Sequence, residues 1–160
     1  VIAQVHGTAA AAGCQLVASC DLAFADDNAT FATPGVNIGL FCSTPMVAVS
    51  RKINRKKMME MLLLGDKIDS KTAVEHGLIN RRVPAKLLNK AVSEVANKIA
   101  SKSPLTLKIG KEAFYKQLEM PLSEAYEYTS KVMIQNMQAR DAEEGISAFI
   151  EKRLPVWTGK

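Results

Sequence analysis

Pro84 divides the 160-residue chain into two stretches with different hydrophobic periods, so one repeating element cannot account for the whole sequence. Before it, short β-branched or small apolar runs alternate with turn residues. Residues 1–5 read as a buried strand, followed by a turn at His6 and Gly7. Residues 22–25 read as a second strand closed by Asp26-Asp27-Asn28, and residues 30–33 as a third stopped by Pro34-Gly35. Between the first two, residues 9–20 are apolar nearly all round and predict a buried helix. Thr44 and Pro45 predict an N-cap and first helical residue, with helices over 45–52 and 54–64 and Gly65 as the stop. Asp69 and Ser70 cap a short helix ending at His76-Gly77, and residues 78–83 read as a strand. After Pro84 the period becomes helical. Leu87, Leu88, Ala91, Val92, Val95, Ala96 and Ile99 share one face, and further helices are predicted over 104–118, 121–138 and 141–152. The expected organisation is an α/β core over residues 1–83 and an all-helical region over 84–160.

With 48% hydrophobic and 23% charged residues, the composition is that of an ordinary folded domain. No apolar run reaches the roughly 18–20 residues needed to span a bilayer; the nearest, residues 9–25, is interrupted by Gln15 and Asp21. Cys14, Cys20 and Cys42 show no Cys-x-x-Cys spacing, and His6 and His76 are the only histidines. That set predicts no metal site, and free buried thiols in a reducing compartment. The basic cluster Arg51-Lys52-Ile53-Asn54-Arg55-Lys56-Lys57 and the pair Arg81-Arg82 predict solvated corners rather than a nucleic-acid surface, since no aromatic residue is interleaved to stack on bases. The distribution of acids is more telling than the net charge of +5. Of 16 carboxylates, only Asp21, Asp26 and Asp27 precede Glu60. Asp21 reads as structural, and Asp26 and Asp27 as solvated turn residues.

Residues 8–16 carry the strongest chemical signal. Small side chains between a buried strand and a buried helix let the backbone turn tightly and let a ligand approach it. The first N–H groups of a helix have no intrahelical partner and point out of its positive end. An oxygen that becomes negative during a reaction is stabilised there, as in an oxyanion hole.

The surrounding motifs resemble those of the crotonase superfamily, the enoyl-CoA hydratases and isomerases. They are Val1-Ile-Ala-x-Val-x-Gly7, Gly13-Cys14-x-Leu16, Ala18-Ser-Cys-Asp21 and Phe31-Ala-Thr-Pro34-x-Val36-x-Ile38-Gly39. The likeness continues through Leu63-Leu64-Gly65-x-x-Ile68-x-Ser70-x-x-Ala73 and Gly77-Leu78-Ile79-Asn80, and ends with Glu144-Gly145-x-x-Ala148-Phe149-x-x-Lys152-Arg153-x-Pro155. It implies the C-terminal part of a spiral of ββα units, followed by a helical trimerisation region, in a homotrimer or dimer of trimers. It also implies an acyl-CoA thioester as substrate or ligand, no other cofactor, and no membrane partner. Ala12 matches the second of two backbone donors to the thioester oxygen, with Ala11 and Gly13 beside it. The first donor is expected from a segment upstream of Val1, so the sequence reads as part of a longer chain. Thr33, Pro34, Cys42 and Ser43 fall where the family lines its pocket. Phe149, Lys152 and Arg153 fall on the terminal helix that meets the CoA adenine and phosphate of a neighbouring subunit. The expected location is mitochondrial in a eukaryote and cytoplasmic in a bacterium.

Two departures change the chemistry the resemblance implies. Hydratases of this family use two glutamates to position water and move its proton; the corresponding positions here are Gln15 and Gly35. A glutamine amide holds water by hydrogen bonds but accepts no proton near neutral pH, and glycine has no side chain. General acid–base catalysis contributes about 10²–10⁴-fold. The expectation is an acyl-CoA-binding member with little or no hydratase activity. The alternative is a non-catalytic regulatory or interaction protein of fatty-acid metabolism that keeps the scaffold.

Overall fold

The computed structural model describes all 160 residues. Its contacts divide into two compact units, Val1–Ala96 and Asn97–Lys160. The first is built by a repeated strand–strand–helix unit. Strands β1 (Ile2–Val5) and β2 (Thr8–Ala10) lead into helix α1 (Ala12–Ser19); β3 (Leu22–Asp26) and β4 (Thr30–Ala32) then lead into a 3-10 turn over Pro34–Ile38 and helix α2 (Pro45–Val49). The second repeat stacks on the first. β1 pairs in parallel with β3, Ile2 opposite Leu22 through Val5 opposite Ala25, and β2 pairs in parallel with β4, Thr8 opposite Thr30. Ala23 to Ala25 are buried, as expected of a parallel strand covered on both faces. A third layer adds β5 (Ile68–Asp69), antiparallel to β4, and β6 (Arg81–Val83), parallel to β3, giving two three-stranded sheets.

Helix α3 (Arg55–Leu64) starts with the Asn54 side chain accepting the Lys57 N–H at 2.9 Å and stops at Gly65, whose φ is +68°. A Cβ at Gly65 would lie 2.9–3.0 Å from Asn37 and Val36 side-chain atoms, so both conformation and space require glycine. Asp69 caps α4 (Ser70–Glu75) through the Thr72 N–H at 2.8 Å. Cys14 and Val17 of α1, Phe31, Val49, Met58, Met61, Leu62 and Ile79 form the core, with alanines filling the narrow spaces between strands.

The second unit holds α6 (Pro104–Gln117), α7 (Leu122–Met137) and α8 (Arg140–Glu151). Helix α5 (Leu88–Ala100) runs across the division between the units. Asp141, only 2% exposed, accepts from Ser103 Oγ, the Thr158 N–H and hydroxyl, and the Gly159 N–H at 2.6–3.2 Å. This carboxylate joins the Ser103 cap of α6 and the first turn of α8 to the C-terminal tail. No helix is long and apolar enough to cross a membrane.

Several elements differ from the sequence-based expectation. Residues 9 and 10 belong to a strand, Thr8–Ala10, rather than to the start of the helix, because they are paired to β4 and an alanine run carries no period of its own. Thr44 has helical backbone angles and makes no capping hydrogen bond. Asp26 is buried, not solvated: its carboxylate accepts the Asn28 N–H at 2.8 Å in a local turn. Residues 78–80 lie outside the strand, because the Asn80 side chain instead accepts the Ala23 N–H at 2.8 Å.

Candidate functional site

The turn between β2 and α1 has the one strained backbone in the first unit outside glycine. Ala11 sits at φ 48°, ψ −114°, held by its N–H donating to the Ala32 carbonyl at 3.0 Å. Such conformations persist where surrounding structure over-determines them and cluster at functional sites. The first N–H inside α1 to find a helical partner is that of Gln15, which donates to Ala11. The N–H groups of Ala12, Gly13 and Cys14 therefore open the helix without intrahelical acceptors. Ala12 is exposed, and a Cβ built on Gly13 would meet nothing within 4 Å. The helix thus presents donors and a positive dipole end to open space, which suits an oxygen gaining negative charge.

Two thiols, Cys14 in the first turn of α1 and Cys42, are buried in the core of the first unit. Cys14 is fully buried, and burial pushes its thiol up to about 11; a hydrogen bond with the Ala32 backbone pulls the other way, and nearby Cys42 adds a smaller upward push. Cys42 is also buried, and its Sγ accepts the Gly35 N–H at 3.3 Å. Cys14 and Cys42 both belong to the buried core of the first unit, and Cys42 alone of the two is bonded to Gly35. Cys20 alone is partly exposed. Iodoacetamide at pH 7.5 is expected to label Cys20 at least tenfold faster than Cys14 or Cys42, read by peptide mass spectrometry; equal labelling would contradict the buried placement.

Gly35 stands in a filled space. A Cβ there would lie 2.9 Å from the Leu40 carbonyl oxygen, 3.0 Å from Cys42 Sγ and 3.2 Å from the Cys42 nitrogen. The Leu40 N–H donates back to the Gly35 carbonyl at 3.0 Å, which fixes the loop in place. Gln15 is half-buried on the first turn of α1. Thr33 is completely buried with its hydroxyl unpartnered, beside half-buried Pro34. Ser43 is exposed and donates to the Phe41 carbonyl at 3.4 Å.

No carboxylate from the first third of the chain substitutes. Asp26 is committed to its turn, and exposed Asp27 faces Arg82 at 3.4 Å. Asp21 follows the far end of α1, about 12 Å along an eight-residue helix from Ala12. No group of three or more metal-binding side chains occurs. In the second unit, Phe149 is 84% exposed on α8 and Lys152 is the left-handed cap that ends it. Arg153 is engaged with Glu144 at 2.6 and 2.9 Å and with Glu151 at 2.6 Å.

The close approach of Cys42 to Gly35 and the strained Ala11 were not legible in the sequence. The first depends on a loop path closing over seven residues, the second on a single backbone angle.

Stacked ββα turns, followed by helices and with an open helix start at the second strand, define the crotonase class. The chain belongs to the enoyl-CoA hydratase/isomerase family, whose model matches residues 1–160. It is 53% identical over 158 residues to human "Enoyl-CoA hydratase domain-containing protein 3, mitochondrial", covering 99% of this chain and 52% of that one. The solved structure of that human protein superposes with a TM-score of 0.96 at 53% identity, covering 98% of this chain and 62% of the other. An enoyl-CoA hydratase from Mycobacterium smegmatis also gives 0.96, at 48% identity, covering 98% and 61%. The chain spans about half the length of the curated relatives it matches.

Proposed function

We propose that this chain carries the acyl-thioester-holding half of an acyl-CoA-binding protein that hydrates enoyl thioesters slowly or not at all. The observation that supports this most is the contrast between two positions, the start of α1 and Gly35. The start of α1 is open to a ligand oxygen, while the place of the second carboxylate is closed by Leu40 and Cys42. In this reading the Ala12 N–H donates to the thioester oxygen, and Gly13 lets the ligand approach. Gln15 orients the acyl group or a water by its amide without taking a proton. Phe149 and Lys152 are free to meet the CoA nucleotide, and relatives named mitochondrial support a mitochondrial location.

Self-association as a homotrimer or dimer of trimers is part of the same proposal. Leu122, Tyr126, Met133 and Met137 form a stripe at helical spacing along α7, each at least 60% exposed. Stripes of this kind mark protein contacts more often than free surface. Light scattering is expected to give a mass three or six times that of one subunit; a monomer at micromolar concentration would overturn this part.

Calorimetric titration with butyryl-CoA tests the ligand. Saturable binding is expected, and Ala12→Pro should weaken it at least tenfold. Proline removes the N–H at a first helical position but also crowds Ala11, already at φ 48°, so weaker binding with unchanged circular dichroism and melting would confine the effect to the donor. No binding of butyryl-CoA to the wild type would favour the non-catalytic interaction protein instead.

A further inference from the structure

The basic cluster at residues 51–57 plays no part in the site above, yet it does not stand on bare surface. Arg51 and Arg55 rim an open trough of about 420 Å³ between α2 and α3, whose walls are Met46, Val47, Met58, Met59 and Leu62. Met58 and Leu62 form a buried floor, while Val47 and Met59 stand exposed along the edges. No carboxylate forms an ion pair with Arg51, Lys52, Arg55 or Lys56; the nearest acid in sequence, Glu60, is taken by Lys57 at 2.6 Å. The Arg51 guanidinium donates only to the Val47 carbonyl, at 2.8 Å, and retains free N–H groups. No carboxylate occurs between Asn28 and Met59, so neither α2 nor the turn that follows it supplies a counter-charge.

We propose that this trough is a second binding site, distinct from the thioester site, for a single-chain amphiphile with a carboxylate head. The guanidinium forks of Arg51 and Arg55 match a carboxylate in a way a point charge does not. The volume lies in the range of small-molecule sites. Methionine walls adapt to an unbranched, flexible chain without demanding one shape. A polynucleotide fits less well, because most of the lining is aliphatic and no aromatic side chain is there to stack on bases.

The test uses dodecanoate below its micelle concentration, titrated into the purified protein. One saturable site per chain is expected, with dodecanol and dodecyltrimethylammonium at least tenfold weaker. Arg51→Ala/Arg55→Ala should raise Kd at least tenfold. Met59→Glu, which places an anion on the exposed edge, should do the same without changing the melting temperature. Excess butyryl-CoA should leave dodecanoate binding unchanged. An unaltered Kd in the double-arginine variant would overturn the proposal, as would displacement by butyryl-CoA, which would put dodecanoate in the thioester site. Binding only to phosphatidylglycerol vesicles or to an acidic amphipathic peptide, with none to dodecanoate, would overturn it too.

Discussion

Placing glutamate at both positions, as Gln15→Glu/Gly35→Glu, is expected to leave crotonyl-CoA hydration within a fewfold of the wild-type rate and to lower stability. Gln15→Glu is nearly isosteric on a half-buried helical turn and should be tolerated alone. Gly35 is different. Its Cβ would enter at 2.9 Å from a backbone carbonyl and 3.0 Å from a buried sulfur. The sulfur belongs to a side chain that accepts the Gly35 N–H, and the carbonyl to a residue whose own N–H returns to Gly35. Neither can yield without breaking a bond that holds the loop. Gly35→Ala alone should cost about 1–3 kcal/mol, the range for forcing an extra methyl into a packed space, and Gly35→Glu should cost more. Thermal melts of the single and double variants, with hydration followed alongside, separate the two effects. A stable double variant that gains 100-fold in hydration would show that the loop moves aside freely.

The second large effect is expected at Asp141. Asp141→Ala removes one buried carboxylate that accepts from Ser103, Thr158 and Gly159, and leaves their donors without partners. The hydroxyl of Ser103 also accepts the Thr106 N–H at 3.1 Å, so the start of α6 is loosened together with the tail. The lone Trp157 reports on this directly, since its indole N–H donates to the Ser101 carbonyl at 2.9 Å. Its emission should shift to the red, and the melting temperature should fall by roughly 5–10 °C. The same group sets an acid limit. The Ser103 hydroxyl holds the Asp141 carboxyl down at about 2, and Arg153 does the same for Glu144. Folded-state values below the unfolded ones mean that both contributions are complete above the ordinary carboxylate range, about pH 4. They are lost as pH falls toward 2. Trp157 emission should therefore stay constant from pH 7 to about 4.5 and change below that in the wild type; a transition centred near pH 6 would contradict the assignment.

How much was legible in the sequence depended on whether a feature was local. Gly65 as a helix stop and Asp69 as a cap were legible because one residue's conformational freedom or one short hydrogen bond decides each. The β3 strand was legible because burial on both faces leaves a continuous apolar run. The strand at Thr8–Ala10 was not, since alanine has no strong preference and pairing with residues 30–32 alone makes it extended. At the site, the resemblance to the crotonases singled out Gln15 and Gly35 as the positions where that family carries its glutamates. What the sequence did not disclose is that position 35 is closed. A missing side chain can leave a hole or a filled space, and only the path of residues 39–43 distinguishes them. The Asp141 network was equally hidden, because its partners lie 38 and 17 residues away.

Under the proposed function the chain holds an acyl thioester and hydrates it slowly or not at all. Crotonyl-CoA added to the purified protein tests it in one experiment, with binding followed by calorimetry and loss of the enoyl absorbance followed by spectrophotometry. Saturable binding with turnover at least 100-fold below that of a glutamate-bearing hydratase under the same conditions is the predicted result. Turnover within tenfold of that hydratase would mean that neither Gln15 nor the closed space at Gly35 limits the reaction, and would overturn the proposed function.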